Sequence, residues 1–396
     1  MRIDGTNLID QLRGSDLADL IYGYDGDDFI WGSGGNDYLD GGNGNDSLYG
    51  GKGDDFFKAG PGDDFMDGGV GNDTFDGGLG NDRMIGGLGN DIFDSGAGDD
   101  FIDAGDGHDT ILGGLGNDVI RAGAGEDYID AGEGDDIIYA GDGNDGFINR
   151  VFPGTGQVIQ QAVGGGAGND IIYGEGGDDA LKGQSGDDHV YGGDGNDFVD
   201  GGDGNNYLEG GDGNDVIDSE FGTDEAHGGE GNDKIELGAG ADLAFGDGGD
   251  DWIKGEAGND VIHGGEGNDI LYGDTEADEL HGGIGMDTLI GGEGDDVLWG
   301  DAAADRFVFK SSATYFGHDT VMDFEDGLDR LVFEGTGVTS YSNSGAAGTV
   351  FAYDQADGDL LISGYDGVGN AISILLDDPT NSLLAANFSS ADFLFA

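Results

Sequence analysis

The chain of 396 residues carries 90 Gly, close to one residue in four, and sets 85 Asp+Glu against 13 Lys+Arg for a formal net charge of -72. A field of that sign excludes nucleic acid and anionic membrane surfaces as partners and makes cations the natural ones. Glycine without every-third spacing rules out collagen, and 36% hydrophobic with 10% aromatic residues is too apolar for a purely disordered acidic tail.

Zero Cys removes disulfide frameworks and thiolate zinc sites. The start, Met1-Arg2-Ile3-Asp4-Gly5, lacks the charged, apolar and cleavage segments of a secretory signal peptide, and no apolar run approaches a membrane span. The expectation is a cytosolic protein or one exported by a route that reads another signal.

The chain repeats every nine residues. Stepping from Asp28 meets Asp37, Asp46, Asp55, Asp64, Asp73, Asp82, Asp91, Asp100, Asp109, Asp118, Asp127, Asp136 and Asp145, and backwards Asp19 and Asp10. After a gap of 25 residues the frame resumes at Asp170 and runs to Asp305, with Asn206 its one departure from Asp. Two residues before each Asp from 28 onward stands Gly, except at Glu276 and Ala303; two residues after it stands an apolar side chain, small only at Ala226 and Ala244. Gly86-Gly87-Leu88-Gly89-Asn90-Asp91-Ile92-Phe93-Asp94 shows the unit whole.

A short strand centred on the apolar residue points that side chain inward and its neighbours outward. The six residues between strands must turn the chain, and Gly at fixed offsets supplies the positive φ that a tight turn requires. Two nonapeptides then make a flattened coil of about 18 residues, and stacked coils form two parallel sheets with a thin core. The spacing therefore predicts an all-β parallel β-roll solenoid. It also brings aspartates of successive coils close enough that each like-charge pair costs roughly 1 kcal/mol even in bulk water.

A hard divalent cation resolves that repulsion. Calcium accepts six to eight oxygens and mixes carboxylates with main-chain carbonyls, whereas magnesium demands octahedral geometry and keeps its waters. The expected ligands are the aspartates from Asp28 to Asp145 named above, with Asp170, Asp179, Asp188, Asp197, Asp215, Asp233, Asp251, Asp260, Asp269, Asp287 and Asp296. With one ion between successive turns, about 28 ions would neutralise most of the charge. Turns at Asn206, Ser219-Glu220-Phe221, Leu237, Gly273 to Asp278 and Gly300 to Asp305 break the pattern, so calcium is not expected there. The metal-free chain should be unfolded. No EF-hand loop occurs.

The nonapeptides resemble the repeats-in-toxin (RTX) family of hemolysin-type calcium-binding repeats, over about residues 1 to 307. The resemblance implies a parallel β-roll with calcium in its turns. Between Asp145 and Asp170 lie 16 extra residues, including Asn149-Arg150-Val151-Phe152-Pro153-Gly154 and Val158-Ile159-Gln160-Gln161-Ala162. They divide the roll into blocks at 1–147 and 165–307, with an insert over 148–164 read as an excursion packed on one sheet, a binding loop being the alternative. From Arg306 glycine thins. Phe316-Gly317-His318-Asp319-Thr320-Val321-Met322-Asp323-Phe324, Asp326-Gly327-Leu328-Asp329-Arg330-Leu331 and the end Ala391-Asp392-Phe393-Leu394-Phe395-Ala396 resemble the C-terminal regions of serralysin-type proteins. That resemblance implies a β-rich cap over 308–396 and an uncleaved signal for the type I secretion apparatus.

No catalytic constellation stands out. None of the six His opens a His-Glu-x-x-His helix, and Gly183-Gln184-Ser185-Gly186 is a turn in register, not a nucleophile elbow. Outward residues three after the Asp align at 18-residue intervals as Tyr173, Tyr191, Glu209, His227, Phe245, His263, His281 and Trp299. They read as an ordinary cross-strand ladder, with a transition metal at His263 and His281, an extracellular polysaccharide or a surface partner as alternatives. Phe29, Phe65, Phe101, Val119 and Ile137 also point outward, which suggests a face covered by the insert or lateral self-association. The reading is a secreted, non-enzymatic calcium-binding protein with a structural or adhesive role at the cell surface or matrix. Its alternative is the C-terminal secretion and folding module of an extracellular enzyme.

Overall fold

A computed structural model describes residues 1–146, 150–151, 158–159, 162–310, 317–325, 327–334, 340–341, 349–354, 360–365, 371–377 and 392–395. Most of the insert, Phe316, Asp326, Ala391 and Ala396 lie outside the described residues. The described secondary structure is all strand, and the chain divides into two compact units, Met1–Tyr207 and Leu208–Ala396.

In the first unit, β1 (Arg2–Asp4) and β2 (Gln11–Arg13) make the first coil, and β3 (Leu20–Asp25) and β4 (Phe29–Trp31) the second. β1 pairs in parallel with β3, Ile3 opposite Ile21, and β2 with β4, Leu12 opposite Ile30. Both ladders advance by 18 residues per coil, as in Met84 opposite Ile102 and Phe93 opposite Ile111. The insert leaves the stack unbroken. Ile138 pairs directly with Ile172 and Gly132 with Gly166, so coils on either side of it are neighbours.

Strands are longer than the three residues expected from the pattern. Tyr38–Asn43 and Arg83–Leu88 each span six, because the paired glycines continue the ladder, Gly87 opposite Gly105 and Leu88 opposite Asp106. Positive φ begins within the strand's end, at Gly42 (φ 108), and continues into the turn at Gly44 (φ 130). A Cβ on Gly44 would collide with the Gly26 carbonyl one coil before it, so glycine there is a condition of stacking. The core is built from the residues two after each Asp, one file from each sheet, buried from Ile21 through Leu39, Phe57 and Ile138 to Leu181, with Ala59, Ala104 and Ala122 buried beside them. Phe57, Phe75 and Phe93 stack with ring centroids 4.7 and 4.5 Å apart.

The second unit repeats this arrangement, with Ile262 opposite Leu280 and Leu271 opposite Leu289. Val216–Asp218 and Lys234–Glu236 shrink to three residues where Leu237 and Ser219 replace glycine, and Leu237 is buried. Glu276 and Ala303 keep the turn conformation without glycine, at φ 75 and φ 106, a strain of about 1–3 kcal/mol each. The C-terminal strands prolong both ladders: Arg306–Lys310 pairs in parallel with Arg330–Glu334, which pairs with Phe393–Phe395. Asp319–Val321 pairs with Ala371–Leu376, itself part of an antiparallel meander with Leu360–Tyr365 and Thr349–Asp354. No helix among the described residues is long and apolar enough to cross a membrane.

Candidate metal centre

The register aspartate closes each turn and is almost wholly buried: Asp28, Asp109 and Asp145 at 0% and Asp82 at 2% exposure. Its two carboxylate oxygens have separate surroundings. Oδ1 accepts the backbone N–H of the register residue one coil earlier, Asp28 to Asp46 at 2.7 Å and Asp64 to Asp82 at 2.8 Å. Across the insert the same bond joins Asp136 to Asp170 and Asp145 to Asp179. Oδ2 is buried and accepts no hydrogen bond at any of the expected ligand aspartates, nor at Asp242 and Asp278 in the degraded turns. It lies against the first glycine of its own turn. A Cβ on Gly41 would collide with Asp46 Oδ2, and one on Gly86 with Asp91 Oδ2.

A buried carboxylate oxygen without a donor is costly, and a row of them down each edge is costlier. Burial, joined by the charges of neighbouring aspartates, pushes Asp82, Asp179 and Asp251 up to about 8, and Asp46, Asp55 and Asp118 up to about 7. The N–H from the preceding coil opposes the shift without cancelling it. A divalent cation fits this donor set: an anionic oxygen against glycine with a main-chain carbonyl close by, as with Asp46 Oδ2 and the Ala59 carbonyl beside Gly41. No group of three or more Asp, Glu or His side chains suited to a metal gathers among the described residues, so such an ion would draw most of its oxygens from the main chain.

A second ladder escaped the sequence reading. The residue just before the register Asp accepts, through its side chain, the N–H of its counterpart one coil later: Asn45 N–H to Asp27 Oδ1 at 3.0 Å, Asp63 N–H to Asn45 Oδ1 at 3.1 Å. His108 performs the same task through Nδ1, accepting from Glu126 at 2.7 Å. The recurrence of Asn and Asp at that place in the nonapeptide was the available signal.

Two of the degraded turns have a local explanation. Asn206 accepts the Asp188 N–H at 3.0 Å through its amide oxygen, preserving the ladder while removing a negative charge. Ser219 donates its hydroxyl to Asp224 Oδ2 at 2.9 Å, a protein donor that most turns of the roll lack. The register also continues past Asp305, hidden by irregular spacing. Asp319 accepts the Asp296 N–H at 3.4 Å and Asp329 the Asp305 N–H at 2.9 Å. Burial first, and the Asp296 charge second, push Asp319 up to about 9.

In the second unit the outward column is a stack of rings. His227, Phe245, His263, His281 and Trp299 follow one another with centroids 4.6, 5.0, 4.6 and 4.2 Å apart. The inner rings turn both faces to their neighbours, so they offer a sugar no flat platform, and His263 and His281 belong to no metal-holding group. His227 lies between Glu225 and Asp247, and His281 between Glu279 and Asp301.

Stacked coils whose turns present rows of buried, donor-free carboxylate oxygens define a calcium-type β-roll. The RTX calcium-binding nonapeptide repeat model matches residues 4–39, 40–75, 76–111 and 112–147, then overlapping segments from 165–190 to 281–310. The chain belongs to this family, and its repeats are calcium-binding ones. No curated protein matches it. Similar solved structures include the extracellular lipase LipA of Serratia marcescens, at 20% identity and TM-score 0.27, covering 66% of this chain and 45% of the lipase. Two subunits of an Azotobacter vinelandii mannuronan C5-epimerase are also similar. AlgE6R3 has 29% identity, TM-score 0.22 and coverage of 40% of this chain and 81% of its own; AlgE6R2 has 23%, 0.17, 50% and 92%. The chain thus spans less than half the length of the lipase.

Proposed function

We propose that this is a secreted, non-enzymatic protein that stays unfolded in calcium-poor cytosol, folds on extracellular calcium and serves a structural or adhesive role at the cell surface or matrix. One observation carries the reading: the rows of buried Oδ2 atoms, at most register positions from Asp28 to Asp296, for which the protein supplies no donor. The ions would be held by these oxygens, from Asp28 onward, with carbonyls of the glycine-rich turns. Bound calcium supplies the positive charge that lets stacked carboxylates remain ionised in a dry turn.

Each weak site stabilises the folded chain by mass action, so many sites acting together give a steep response between micromolar and millimolar calcium. The resemblance of the C-terminal region to serralysin-type proteins supports export by a type I apparatus. The register carboxylates are accounted for as cation ligands, which leaves no pair singled out for acid–base chemistry. The test is a calcium titration followed by circular dichroism, with ion stoichiometry from calorimetry. A sharp disorder-to-β transition is expected; a full β signal in excess chelator at neutral pH would sink the reading. A calcium-dependent pull-down and glycan array then identify the surface partner.

A further inference from the structure

Gaps between successive coils are closed by pairs of side-chain bonds that run in opposite directions. Asn45 Oδ1 reaches forward to accept the Asp63 N–H at 3.1 Å, while Asp64 Oδ1 reaches back to accept the Asp46 N–H at 2.7 Å. At the next gap Asp63 accepts the Asn81 N–H at 3.0 Å and Asp82 the Asp64 N–H at 2.8 Å. The forward bond needs only a side-chain oxygen, so Asp and Asn serve it equally. Their order is nevertheless regular. In the first unit the forward residues on one edge alternate strictly, Asp27, Asn45, Asp63, Asn81, Asp99, Asn117 and onward to Asn205. On the other edge Asn72, Asn90 and His108 follow one another without an acid.

Among the described residues no two carboxylates are consecutive in either forward row, whereas the buried register row is aspartate coil after coil, with Asn206 its departure. Carboxylates one strand spacing apart repel each other unless a cation offsets them. The outer row avoids that contact and the buried row accumulates it, the pattern expected when cations sit with the buried row and the outer row adds its field. Burial is the chief force raising Asp64 and Asp82, and the Asp63 charge adds to it at both, on either side of the gap that Asp63 spans. Asp99 adds likewise to the burial of Asp100 and Asp118. At Asp91, beside Asn72 and Asn90, the like charge that joins burial is Asp109 of its own row.

We propose that the residue just before each register aspartate sets the calcium affinity of the gap it spans, so that gaps spanned by Asp fill before gaps spanned by Asn. This rests on the calcium reading above and adds an order to it. One further carboxylate beside a divalent ion is worth about tenfold in affinity even at the dielectric of water, and calcium sites are graded by the charge count around the ion. The lattice then has two classes of site. They alternate along the edge of Asp27 and Asn45, and the weaker class runs on through Asn72 and Asn90 on the other edge. Filling is graded along the roll, although the register aspartates themselves are alike.

A titration of the full chain in calcium buffers, followed by circular dichroism, tests this. Asp27→Asn with Asp63→Asn, Asp99→Asn, Asp135→Asn and Asp187→Asn removes charge and keeps every forward acceptor, as Asn45 and Asn81 do already. A tenfold loss at these gaps, spread over about 28 coupled sites, raises the calcium midpoint about 1.5-fold. The control removes as many charges from outward strand positions, Asp40→Asn with Asp76→Asn, Asp94→Asn, Asp103→Asn and Asp130→Asn, and shifts the midpoint less than about 1.1-fold. In the other direction, Asn90→Asp with Asn214→Asp and Asn259→Asp, none beside a carboxylate in its row, lowers it about 1.3-fold. Calorimetry gives the same ion count throughout, because the register ligands are intact. Equal midpoints for the ladder variant and its control, no fall on adding the three aspartates, or ions lost with the ladder charges overturns the proposal and leaves calcium-driven folding standing. A parent chain that folds in excess chelator overturns calcium-driven folding itself, and this proposal with it.

Discussion

Asp46 accepts the Asp28 N–H at 2.7 Å through Oδ1, while its Oδ2, on the same carboxylate, lies buried with no donor. One side chain thus performs two tasks that can be separated. Oδ1 ties one coil to the next and needs no ion, whereas Oδ2 is an anionic oxygen that only a proton or a cation can satisfy.

That separation can be measured at Asp82. Asp82→Asn keeps the acceptor for the Asp64 N–H, as Asn206 does for Asp188, and removes the anionic oxygen. The variant should fold in saturating calcium, with fewer ions bound in calorimetry and a higher calcium midpoint. Asp82→Ala also strands the Asp64 N–H, which adds about 1–3 kcal/mol of destabilisation in denaturant titrations at saturating calcium. Equal stability of the two variants would mean that the Oδ1 bond contributes nothing.

Glycines of the turn divide by position. Gly89 has φ 133, and a Cβ there would collide with the Gly71 carbonyl, so Gly89→Ala should cost about 2–4 kcal/mol even with calcium bound. Gly176 has nothing within 4 Å of an added Cβ, so Gly176→Ala should change stability by no more than about 0.5 kcal/mol. Thermal melts of both variants in excess calcium make the comparison. A tolerated Gly89→Ala would contradict the stacking described for these turns.

Ser219 takes the place of the first glycine in its turn and donates to Asp224. Ser219→Gly removes that donor and returns the position to the repeat's own residue. The variant should bind one additional calcium equivalent and lose about 1 kcal/mol where calcium is limiting. Unchanged stoichiometry together with unchanged stability would show that the hydroxyl is not what sets this turn apart.

Much of this arrangement was legible from spacing alone. An Asp every nine residues with an apolar neighbour two places on defines coil length, core and candidate ligands, because a solenoid repeats its chemistry with its geometry. What escaped were roles set by the neighbouring coil. Asn45 and Asp63 carry no fixed residue type in the repeat, and only the stacking sets the Asn45 side chain against the Asp63 N–H. Asp319 and Asp329 fall outside the nine-residue frame because their sequence spacing from Asp305 is not a multiple of nine, yet each takes a register bond. Asp242 and Asp278 were set aside for imperfect turns, although their Oδ2 atoms are as buried and donor-free as the rest. The conformation of a turn survives the loss of a glycine more readily than its sequence pattern does, as Glu276 at φ 75 illustrates.

The carboxylates also make the cation-free roll sensitive to pH, with a definite sign. Burial, then repulsion between successive aspartates, raises Asp82, Asp179 and Asp251 to about 8 and Asp46 and Asp55 to about 7 in the folded chain, against about 3.9 when unfolded. The folded state therefore holds protons that the unfolded state has released. Its stability without calcium is present in full below about pH 4 and falls as pH rises through about 6 to 8. A calcium-stripped sample should show a β signal by circular dichroism at about pH 4, lose it by about pH 8, and regain it there on adding calcium. Protons and calcium compete for the same oxygens, so the calcium midpoint should rise as pH falls from about 8 to about 5. A calcium-free signal that stays flat across this range would mean that the buried Oδ2 row does not control folding.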